Sequence, residues 1–67
     1  MGGMAYHKLV FAVAASYVRR LGPKALETLE EHAEIAEGTG DTDSAVIWRE
    51  IAAMAEDMLR PRDGELA

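Results

Sequence analysis

Between Leu9 and Val18 the chain reads LVFAVAASYV, and the Ser16 hydroxyl and Tyr17 phenol are its only polar side chains. At about 100° per residue, Tyr6, Leu9, Val10, Val13, Tyr17 and Leu21 fall on one ridge. Phe11, Ala14, Ala15 and Val18 widen the apolar arc past half the circumference, which leaves Lys8, Ala12, Ser16 and Arg19 as a narrow wetted strip. A surface helix ordinarily shows a stripe somewhat over 100° wide, so the pattern predicts a first helix over 5–21 that packs against two elements at once. Gly22 can take the left-handed conformation that closes a helix and Pro23 cannot continue it.

A second helix is predicted over 23–37, with Pro23 in its first turn, where a missing N–H costs nothing. So tight a connection turns the two helices through a corner. Leu26, Leu29, Ala33 and Ala36, at alternating spacings of three and four, line one narrow seam bordered by Ala25. Glu27, Glu30, Glu31, Glu34 and Glu37 cover the opposite side, and Ile35 points out among them.

Gly38-Thr39-Gly40-Asp41-Thr42 turns the chain, with Gly38 expected to cap the second helix. Asp41, Thr42 and Asp43 are equivalent candidates for the next N-cap. The third helix is predicted over 43–59 and ends before Pro61. Its apolar half comprises Ile47, Trp48, Ile51, Ala52, Met54, Ala55, Met58 and Leu59. Arg49, Glu50, Glu56, Asp57 and Arg60 face water, and Val46 and Ala53 lie on the outer side. Residues 1–4 read as a flexible start in which Met4 is as good an initiator as Met1, and 61–67 as a frayed tail. The fold class is therefore all-α: a single three-helix domain over 5–60.

Composition sharpens this picture. With 67 residues and no cysteine, one core is barely sufficient, and neither disulfides nor thiolate metal sites can help. Apolar residues make up 49% of the chain, enough to offset the entropy of ordering it. The net charge of −5 disfavours direct contact with nucleic acid or an anionic membrane surface. Lys8 before an apolar run imitates a signal peptide, but Arg19 and Arg20 interrupt the run well short of the ~20 residues that span a bilayer. A soluble cytoplasmic protein is the expectation.

Candidate chemistry adds little. Glu27, Glu30, Glu31 and Glu34 around His32 invite a metal reading, yet a di-iron bundle needs inward-facing Glu-x-x-His pairs, and Leu29 stands three residues before His32. Asp41-Thr42-Asp43 begins like a calcium loop, but Ala45, Val46 and Ala52 occupy positions that need an oxygen ligand, a glycine and a glutamate. His7 and His32 have no nucleophile arranged beside them, and the balanced charges outside the third helix do not suit a DNA-reading helix. The sequence thus yields no enzyme, cofactor, metal or small-molecule assignment.

Gly40-Asp41, then Ser44-Ala45, then Trp48-Arg49-x-Ile51-Ala52 resembles the C-terminal signature of small bacterial all-helical proteins of unknown function, in which a Gly-Asp turn precedes a Trp-x-x-Ile helix. The resemblance covers the last third of the chain. It implies a small soluble all-α protein and transfers no functional residue.

The breadth of the first helix carries the functional expectation: a non-enzymatic interaction or regulatory protein, homodimeric through Phe11, Ala15 and Val18. A second protein-partner face is expected at Glu27, Glu30, Glu31, Glu34 and Ile35. The alternative is an acidic decoy or inhibitor whose second-helix glutamates occupy the basic surface of a nucleic-acid-binding protein, an association that salt would weaken.

Overall fold

The computed structural model describes residues 2–60, with side chains from Tyr6 onward. It is an all-α domain of three helices, α1 (Gly2–Leu21), α2 (Lys24–Gly38) and α3 (Thr42–Leu59). Among the described residues no helix is long and apolar enough to cross a membrane. Met1 and the expected tail at 61–67 lie outside the described residues.

α1 begins at Gly2, ahead of the expected residue 5, so 2–4 belong to the helix. Each residue added to an existing helix gains a hydrogen bond, which offsets the roughly 1 kcal/mol that a glycine costs there. Arg19 and Arg20 occupy its last turn, where cations favour the helix dipole. Gly22 then takes φ 62°, and its N–H donates to the Val18 carbonyl at 2.8 Å. Pro23 occupies the N-cap position of α2, one place before the expected first turn, and Ala25 N–H closes the corner on the Gly22 carbonyl.

The turn between α2 and α3 corrects the expected role of Gly38. Gly38 stays helical, and Gly40 is the residue at φ 85°. Asp41 N–H donates to Ala36 and Gly40 N–H to Glu37, the paired bonds of a Schellman ending, which needs its left-handed residue two places further on. Asp41 is also the N-cap of α3, accepting from the Ser44 N–H at 3.2 Å. Hydrogen bonding by Ser44, first through its side chain and then through that N–H, holds the Asp41 carboxyl below the usual aspartate range. One residue thus ends one helix and starts the next, so α2 and α3 must run back along each other.

α2 packs most extensively on α3, and α1 lies chiefly on α3 and reaches α2 much less. The expected covering of α1 by two helices is therefore unequal. The corner at Gly22 carries α2 away from α1, so the two meet through the C-terminal half of α1, where Tyr17 faces His32.

The core cluster consists of Val10, Ala14, Leu29, Ile51, Ala52 and Ala55, with Ala25, Ala33, Ala36 and Ala45 also buried. Alanine supplies most of this interior, and Leu29 is the one large side chain among the described residues that is fully buried. Helices lined with alanine approach closely, so little volume remains between them for larger groups.

Two sequence expectations move as a result. The buried arc of α1 is centred between Val10 and Ala14, which rotates Leu9 out of the expected ridge and leaves Leu21 exposed at the helix end. On α3, Ala45 is buried while Ile47 is exposed, because the close α2–α3 contact accepts a methyl where it has no room for a branched chain.

Candidate functional site

Large apolar side chains excluded from the interior decorate the outside. Relative exposures are 62% for Leu9, 55% for Phe11, 62% for Ile35 and 55% for Val46, with Leu21 and Ile47 also exposed. Full burial of such a side chain is worth about 1.5–3 kcal/mol. The isolated subunit therefore leaves unrealised a quantity comparable with the roughly 3–10 kcal/mol that stabilises a domain of this length.

The three candidate self-association residues do not share one environment. Phe11 is exposed, Ala15 is half-buried, and Val18 is half-buried against the core cluster. Val18 thus serves the subunit's own packing, and Phe11 is the prominent apolar group on that flank. Leu9 lies on the opposite flank of α1, about 160° away.

An open groove of about 370 Å³ runs where α1 meets α3, lined on the α1 side by Tyr6, His7 and Val10. Val10, Ala53 and Met54 give it an apolar lining, and His7, Glu50 and Asp57 contribute polar groups. Tyr6 bridges the two helices by donating its hydroxyl to Glu50 Oε1. The phenol is held above the ordinary tyrosine pKa, first by that hydrogen bond, then by partial burial and by the charge of Glu50.

A raised pKa in the folded state means a contribution that is complete below the unfolded value near 10 and is lost as pH rises through the folded one. Alkaline ultraviolet titration should accordingly show a late-ionising tyrosine that disappears in Tyr6→Phe. Persistence of the late phase in that variant would show that Tyr6 is not its source.

A second grouping escaped the sequence reading. His32, expected on a solvated acidic face, packs edge-on against Trp48 with ring centroids 4.4 Å apart and 77° between planes. Tyr17 completes the cluster at 6.3 Å from Trp48 and 6.1 Å from His32, both near perpendicular. Edge-to-face aromatic pairs of this kind stabilise by about 0.5–1.5 kcal/mol beyond their area, so the cluster is a joint between all three helices. The signal was available: His32 lies three residues after Leu29 and four before Ala36, on the border of the buried face.

On the other side of α2, Glu27, Glu30, Glu31 and Glu34 are exposed together with Ile35. Glu37 departs from this set and pairs with Arg49 of α3, an exposed contact worth roughly 0–1 kcal/mol. Among the described residues no three His, Asp or Glu side chains converge as metal ligands would.

Fold and surface together define a class: a three-helix domain with an alanine-rich interior and large apolar groups displayed on its surface. Comparison with known proteins finds no matching family model, no similar curated protein and no similar solved structure.

Proposed function

We propose that the chain is a small, non-enzymatic interaction or regulatory protein that acts in the cytoplasm as a homodimer formed through α1. One observation supports this most strongly: alanine fills the interior while Leu9, Phe11 and other large apolar residues stay outside. Selection for a self-sufficient monomer would place the large groups where their burial stabilises the fold. Self-association is the economical remedy for a short chain without disulfides, because a symmetric contact covers the same surface twice.

Sedimentation equilibrium across the micromolar range tests the reading. The wild type should dimerise, and Phe11→Ser should shift the equilibrium towards monomer with an unchanged far-ultraviolet circular dichroism spectrum. A compact wild-type monomer at tens of micromolar would refute it.

The exposed Glu27, Glu30, Glu31 and Glu34 favour a second reading, in which α2 meets a basic protein surface and imitates phosphate charge. Binding of that kind falls steeply with ionic strength. A protein partner held equally well in low and high salt would exclude it.

A further inference from the structure

We propose that the two copies pair with α1 antiparallel to α1, each inserting Phe11 into the α1–α3 groove of the other. The inference rests on the homodimer reading above and specifies its geometry.

A two-fold contact needs a surface patch that is complementary to itself. Here the protruding and receiving parts lie side by side, since His7 lines the groove and Phe11 follows it by one helical turn on the same side of α1. A two-fold axis passing beside α1 at the level of residue 9 sets position 7 of one copy against position 11 of the other. It therefore delivers each Phe11 to the partner's groove and runs the helices in opposite directions. The volume of about 370 Å³ admits a phenyl ring, and Val10, Ala53 and Met54 offer it apolar contact.

Charge points to the same occupant. α1 contains Lys8, Arg19 and Arg20 and no acidic residue, so the net −5 of the chain divides into +3 on α1 and −8 on the remainder. The groove carries Glu50 and Asp57. A second α1 is thus an apolar, cationic helix meeting an apolar, acidic groove. Lys8, exposed three residues before Phe11 and on the same flank of α1, accompanies Phe11 towards that acidic pair of the partner. Antiparallel pairing keeps the two Arg19–Arg20 ends apart, whereas parallel pairing would bring four like charges together.

The absence of cysteine allows single-site labelling on an otherwise unchanged chain. In Ser16→Cys carrying a spin label, antiparallel pairing about residue 9 separates the two labelled positions by about 21 Å along the helix axis at 1.5 Å per residue. Parallel pairing holds them about 10 Å apart, the spacing of packed helices. A charge-reversal pair supplies the second arm. Lys8→Glu alone and Asp57→Lys alone should each weaken self-association about tenfold or more through juxtaposed like charges, and an equimolar mixture should associate again.

The short distance, or dimerisation indifferent to both reversals, overturns this pairing and leaves a homodimer of another geometry. A wild type that never dimerises overturns the self-association reading itself.

Discussion

Leu29→Ala is expected to destabilise the fold by about 2–5 kcal/mol, much of the roughly 3–10 kcal/mol available to a chain of this length. Leu29 is fully buried, and Ala14, Ala52 and Ala55 belong to the same cluster. A cavity heals when neighbouring side chains swing into it, and an alanine methyl cannot. The helices would have to move inward, yet alanine contacts already bring them close together, so the loss should fall in the upper part of that range.

Urea unfolding followed by circular dichroism checks this, with the midpoint lowered and the slope unchanged. Leu9→Ala is the control: its side chain is largely in water, and the expected change in the monomer is within about 0.5 kcal/mol. Equal effects at Leu29 and Leu9 would contradict the proposed inside and outside.

The second large effect comes from adding atoms. Ala14 has no exposed surface and belongs to the same cluster as Ile51, Ala52 and Ala55 of α3. Ala14→Leu forces a branched side chain into a contact with no space for it, at a cost of about 1–3 kcal/mol. Since α1 joins α2 much less than α3, the strain should be relieved by α1 lifting away while α2 and α3 stay paired. Amide hydrogen exchange should show protection lost first across α1. Ala12→Leu, on the exposed side of the same helix, should leave protection unchanged. Uniform loss over all three helices would show that the domain yields as one unit.

Much of the fold was legible because helix limits are written in local chemistry. Gly22 and Pro23 end the first helix through backbone geometry that any neighbours would leave intact. The seam of Leu29, Ala33 and Ala36 follows from spacing alone. The turn was read less well because two glycines compete there. Gly38 and Gly40 are equally permissive, and only the Schellman hydrogen bonds decide which one takes the left-handed conformation.

The candidate site was legible in kind but not in detail. An over-wide apolar helix announces itself in sequence, and Phe11 is exposed on its flank. Val18 differs from it in being half-buried against the core, because residues near the edge of a broad arc divide between core and surface according to where the neighbouring helix lies. The Tyr6–Glu50 bridge joins residues 44 positions apart, a relation without local signature. His32 shows the same limit: its neighbours in sequence are glutamates, and its neighbours in space are Trp48 and Tyr17.

By itself the sequence determined three helices, their limits to within a few residues, the acidic outer face of α2 and an apolar excess on α1. Those properties depend on backbone preference and on spacing along one helix. The tertiary structure decided which apolar residues the excess comprises, because the rotation of each helix about its own axis is set by contact with the others. Alanine-lined helices settle close together, and that closeness leaves Leu9, Phe11 and Ile47 on the outside.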